Sequence, residues 1–88
     1  MKQVFYTSFH RDVRKIKNKA VAQAVKNIIL ITEQCNSIIE IPNLKKLKGH
    51  KTAYRIKINN FRLGLFIEEN TLFFAAISHR KDIYKTFP

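Results

Sequence analysis

Cysteine is nearly absent from this chain of 88 residues: Cys35 stands alone. Without a second thiol there is no internal disulfide, and with the histidines dispersed at positions 10, 50 and 79 no zinc-ligand spacing can be read. Cys35 is therefore expected to be a small buried hydrophobe near a helix end. Long hydrophobic runs are missing too. Lys2 is followed by mixed residues rather than the apolar core of a signal peptide, and no run is long enough to cross a bilayer. A cytoplasmic protein with no membrane partner is expected. Acidic residues are the third scarcity, with six Asp and Glu against 17 Lys and Arg, a net charge of +11. Such an excess costs stability through self-repulsion, and a polyanionic partner is the usual reason for keeping it.

What is present suffices for a core. Hydrophobic residues make up 45% of the chain and include seven Phe and three Tyr, which argues against disorder. The length suits one domain over residues 1–88, with no room for a second. The cations are concentrated: between Glu40 and Glu68 there is no acid, while Lys45, Lys46, Lys48, Lys51, Arg55, Lys57 and Arg62 all fall there.

The hydrophobic period changes along the chain. Residues 2–7, KQVFYT, have the β-branched and aromatic bias of a strand, and Thr7-Ser8 offers a hydroxyl to cap a following helix. Phe9, Val13 and Ile16 then recur at helical spacing, with Arg11, Arg14, Lys15 and Lys17 off that face. Asn18-Lys19 marks a break. Val21, Ala24, Val25, Ile28, Ile31 and Thr32 resume the pattern and predict a helical hairpin. The segment SIIEIPNLKKLKGH, interrupted by Pro42 and Gly49, reads as a connection. Beyond it the period becomes two. Tyr54, Ile56 and Ile58 alternate with Arg55 and Lys57, and after Asn59-Asn60 the residues Phe61, Leu63, Leu65 and Ile67 oppose Arg62, Gly64, Phe66 and Glu68. Asparagine tolerates the positive φ of a tight hairpin turn. A second turn at Glu69-Asn70 leads into TLFFAAIS, an apolar strand expected in the sheet interior. The predicted order is β-α-α-β-β-β.

Alternation sends Arg55 and Lys57 to one non-core face, and Arg62 also lies off the core. A face of two or three cations beside a lysine-rich loop suits phosphates, which arginine can contact in bidentate fashion. Ordinary solvated side chains would give the same pattern. Base stacking has only Phe66 as a platform, since Phe61 and Tyr54 read as core residues.

FHRDVRKIK on the first helix, LKKLKG before the sheet, YRIKINNFRLGLF and the terminal HRKDIY together resemble the RelE/ParE superfamily of toxins from type II toxin–antitoxin modules. The resemblance runs nearly end to end. It implies an α+β fold with two N-terminal helices packed on a small antiparallel sheet and a short C-terminal extension. It also implies a cognate acidic antitoxin that wraps the toxin, with DNA reached only through that complex. In the RelE branch the expected activity is ribosome-dependent cleavage of mRNA, in which the RNA 2′-hydroxyl attacks its own phosphate and neither metal nor cofactor is needed. On that pattern Arg55 and Lys57 approach the scissile phosphate or act as base, and Arg62 stabilises the transition state. Arg80 and Tyr84 match the late arginine and tyrosine, and His79 a C-terminal histidine proposed as general base. Lys45, Lys46, Lys48 and Lys51 are expected to touch RNA. His79 and Arg80 are expected beside the cationic face, while His10 and His50 read as ordinary surface residues. Two departures stand out: only four residues separate Arg80 from Tyr84, and Phe66 replaces a common tyrosine. The same fold also admits a ParE-like gyrase poison without catalysis, or an inactive basic binding module.

Overall fold

TLFFAAIS lies within β5 (Thr71–His79), a strand flanked on both sides in the computed structural model, which describes residues 1–88. β1 (Lys2–Phe5) lies along one side of it, and β4 (Phe61–Glu68), β3 (Ala53–Ile58) and β2 (Leu44–Lys46) follow on the other. The order β1-β5-β4-β3-β2 explains the apolar run, because an interior strand covered on both faces has no solvent side to make polar. β1 pairs with β5 in parallel and the other pairings are antiparallel, so the sheet is mixed. β2 forms inside the segment read as a connection and adds an edge strand.

α1 (Thr7–Arg14) and α2 (Lys19–Gln34) build the hairpin, and they pack on one face of the sheet. Asn18, at the expected break, caps α2 by accepting a hydrogen bond from the Val21 N–H at 3.1 Å. Phe9, Val21 and Val25 join Ile56, Leu63, Leu65, Leu72 and Phe74 in the main core, and Cys35 is buried there at the end of α2. Ile31 departs from expectation: it is exposed, and Ile29 turns inward instead. Buried Thr32 accepts a hydrogen bond from Gln3 Nε2 (2.9 Å) and donates to the Ile28 carbonyl (2.7 Å), tying β1 to α2.

The Thr7-Ser8 cap does not form. Tyr6 is the N-cap of α1, and the Ser8 hydroxyl donates to the Ala75 carbonyl at 2.6 Å. β1 ends opposite Phe74, which would leave the rest of β5 with an open edge, so α1 supplies the missing partners. Asp12 Oδ2 accepts from the Ile77 N–H at 3.1 Å. A strand edge is thus covered by side chains of a helix rather than by another strand.

Between Gly64 and Leu65 the register with β5 shifts: Gly64 pairs with Ala76 and Leu65 with Phe74, so Ala75 is an extra residue. The bulge resets the phase, and Phe74 and Ile77, three apart, both enter the core under the helices. Beyond β5 the chain turns back across the opposite face as a four-residue helix, α3 (Ile83–Thr86). Ile83 and Phe87 pack there with Ala53, Ala75 and Ala76 in a second buried cluster. The small residues make the room: a Cβ on Gly64 would fall 2.6 Å from the Phe87 ring.

Candidate functional site

The strand register assembles the cations on the face that α3 crosses. Lys45 pairs with Arg55, which pairs with Gly64, and one step along Lys57 pairs with Arg62, which pairs with Ser78. Alternation therefore gives two rows on one face, Lys45–Arg55 and Lys57–Arg62. Lys46 points the other way, since its partner Tyr54 packs against the main core. Lys48 and Lys51 are exposed in the β2–β3 connection.

Half-buried Arg62 is held by its own hairpin, with Nη1 donating to the Asn59 and Phe61 carbonyls at 2.9 Å each. That turn works because Asn59 takes φ 50°. Arg55 Nη1 reaches the Asn43 carbonyl at 3.4 Å. Each guanidinium keeps further N–H groups for an anion. No carboxylate balances either row: the only ion pairs in the molecule are Arg11–Asp12 (3.9 Å) and Lys85–Asp82 (3.3 Å). A face of unpaired cations concentrates positive potential and attracts phosphates.

The late residues divide. Arg80 is exposed, and its N–H donates to the Asn60 carbonyl at 2.7 Å, tying the end of β5 to the β3–β4 turn. Ser78, not His79, faces the cations. The bulge at Ala75 is the reason: it moves each later residue of β5 to the opposite side, so His79 faces as Phe61 does and stacks edge-on against it (centroids 5.8 Å). His79 Nδ1 accepts from the Lys81 N–H at 3.2 Å. Tyr84 is exposed on α3 while its neighbours Ile83 and Phe87 pin the tail.

Phe87 and Pro88 separate two clefts. The larger, about 860 Å³, lies between α1 and the tail over Ala75–Ser78, with His79 at its rim. The Ser78 hydroxyl is buried and makes no hydrogen bond. The smaller, about 320 Å³, is lined by Leu47, Lys48, His50, Tyr84, Phe87 and Pro88. His79 and Tyr84 thus line different clefts, and Tyr84 shares its own with His50, expected to be an ordinary surface residue. The two are 34 positions apart, and only the packing of Leu47 and Phe87 on one buried cluster joins them.

The fold and its surface define a small basic α+β protein with one sheet face of unpaired cations. Toxin RelE3 of Methanocaldococcus jannaschii is 35% identical over 92 residues, across the whole of both chains. The chain belongs to the RelE family, toxins of type II toxin–antitoxin systems. No family model matches it. A chain of the RelB–RelE antitoxin–toxin complex from Methanococcus jannaschii superposes with a TM-score of 0.82 at 30% identity, covering 97% of this chain and 99% of that one. The isolated Escherichia coli RelE toxin gives 0.65 at 20% identity, covering 96% and 90%, a likeness of fold. These relatives do not favour the gyrase-poison reading. No helix is long and apolar enough to cross a membrane.

Proposed function

We propose that this toxin arrests translation by cutting mRNA on the ribosome, and that an acidic antitoxin segment silences it. The observation that carries the reading is the pair of rows Lys45–Arg55 and Lys57–Arg62, unneutralised and on the same sheet face as the tail bearing Tyr84. The reaction needs no group beyond amino-acid side chains. The 2′-oxygen forms a bond to the adjacent phosphorus while the bond from phosphorus to the 5′-oxygen breaks. A base takes the 2′-hydroxyl proton, and an acid protonates the departing oxygen. Charge grows on the non-bridging oxygens between these events, where Arg62, Arg55 and Arg80 serve as stabilisers. His79, Tyr84 and Lys57 are the proton-handling groups carried over from the family pattern.

The M. jannaschii and E. coli RelBE structures are complexes with an antitoxin. For this chain the same partner is supported by a charge of +11, which an acidic segment would neutralise over the cationic face. Toeprinting of translating ribosomes tests the cleavage reading. New 3′ ends inside the occupied codon are expected with the native protein and not with Arg62→Ala. Intact mRNA at concentrations that arrest growth would overturn it.

A further inference from the structure

The smaller cleft holds three groups with chemistry and three that only wall it in. Lys48 and His50 come from the β2–β3 connection, and Tyr84 comes from α3; Leu47, Phe87 and Pro88 complete the lining. The connection is held at its base by hydrogen bonds, and the tail by the burial of Ile83 and Phe87. The connection is closed at its base by the Leu47 N–H to the Ala53 carbonyl at 2.8 Å, and it turns through Gly49 at φ 82°, with the His50 N–H returning to the Leu47 carbonyl at 3.2 Å. The Gly49 position is open, so glycine is required there by the backbone angle rather than by space. Leu47 then packs on the cluster of Ile83 and Phe87, which locks the connection against the tail.

We infer that His50 is a catalytic residue of this toxin, the imidazole that works with Tyr84. The inference rests on the RNA-cleavage reading and deepens it. An imidazole nitrogen can accept a proton, and a phenol can donate one. In one cleft they divide the labour. His50 takes the proton from the 2′-hydroxyl as the new bond to phosphorus forms, and Tyr84 gives its proton to the 5′-oxygen as the old bond breaks. The proton on the imidazole then returns to the phenolate through solvent, so nothing is consumed. Lys48 favours the transient phenolate and the phosphate alike. The charged and titratable groups lining the cleft with the imidazole are Lys48 from its own connection and Tyr84 from α3. His79 faces with Phe61 and lines the other cleft, so it does not share the phenol's cleft.

The test is single-turnover cleavage of ribosome-bound mRNA by the purified toxin and by His50→Gln, across pH. His50 is exposed, so the variant should melt with the native protein. Its rate should fall by about a hundredfold or more, and the acidic limb of the pH–rate profile should disappear. Added imidazole should restore part of the rate to His50→Ala, and the surface control His10→Gln should behave as the native protein. If the native toxin cleaves and His50→Gln cleaves within threefold of it with the same pH profile, the assignment is overturned while the cleavage reading stands. If the native toxin leaves mRNA intact, both fall.

Discussion

Replacing Gly64 with alanine tests whether the tail is seated by a missing Cβ. The added carbon would lie 2.6, 2.7 and 2.8 Å from three carbons of the Phe87 ring, where relaxed contacts need about 3.5–4.0 Å. Something must move by about 1 Å. The ring also packs against Phe66 (centroids 5.1 Å) and is buried, so the shift is not free. Overpacking of this kind costs about 1–3 kcal/mol. Alanine returns about 0.4–1 kcal/mol by restricting the unfolded chain. The net expectation is a loss of about 1–2 kcal/mol, and in a domain of this size each kcal/mol lowers Tm by about 4–8 °C. Circular dichroism melts measure it. Hydrogen exchange at the Phe87 N–H, bonded to the Ile83 carbonyl at 2.9 Å, reports whether the tail has lifted. The decisive comparison is the same substitution in a Phe87→Ala background. With the ring gone, Gly64→Ala should lose its cost and become neutral or stabilising. An equal loss in both backgrounds would refute the reasoning.

Arg62→Ala should lower mRNA cleavage by about a hundredfold to a thousandfold. The accompanying loss of stability should stay at about 1–2 kcal/mol, since two hydrogen bonds to hairpin carbonyls, one exposed and one part-buried, go with it; a larger fall would make Arg62 structural. Asp12→Ala removes the acceptor for the Ile77 N–H and should cost about 1–3 kcal/mol, whereas Asp12→Asn, which keeps an amide oxygen there, should cost less than half of that in the same melts. Salt should act in opposite directions on the two properties of the free toxin. With only two ion pairs offsetting any of 17 cations, raising ionic strength from about 0.01 M to 0.1 M shortens the screening length from about 30 to 10 Å and should raise Tm, while weakening binding to ribosomes. A lower Tm in that range would mean that attractions, not repulsions, dominate the surface.

The elements were legible where the pattern is local. Spacings of three and four gave α1 and α2, alternation gave β3 and β4, and both turns fall where expected, at Asn59-Asn60, where Asn59 alone takes positive φ, and at Glu69-Asn70. The cationic rows were legible for the same reason, because alternation alone decides which side of a regular strand Arg55, Lys57 and Arg62 occupy. What failed was long-range. One extra residue at Ala75 reverses the side of everything after it, and AAIS carries no mark of the reversal, so His79 was expected on the wrong face. Ser8 passes over the local cap for a carbonyl 67 residues away. A four-residue β1 does not declare which edge it joins or in which direction. His50 reads as surface and is exposed, but that it shares a cleft with Tyr84 follows only from the packing of Leu47 and Phe87.

The two halves of the site are held by unequal means, and this bears on how it works. Lys45, Arg55, Lys57 and Arg62 ride on strands stitched by ladder hydrogen bonds, so their spacing is fixed by the sheet. Tyr84 rides on a helix of four residues, too short to persist unaided. Its place depends on Ile83 and Phe87 filling the hollow left by Ala53, Gly64, Ala75 and Ala76. The cations can therefore hold a phosphate in one geometry while the phenol adjusts to it, as apo sites often tighten only when substrate arrives. It follows that enlarging one of those alanines, which contact neither phosphate nor base in the proposed complex, should slow cleavage by shifting Tyr84 while leaving RNA affinity, set by the rows, nearly unchanged. A loss of affinity equal to the loss of rate would place the tail among the binding groups instead.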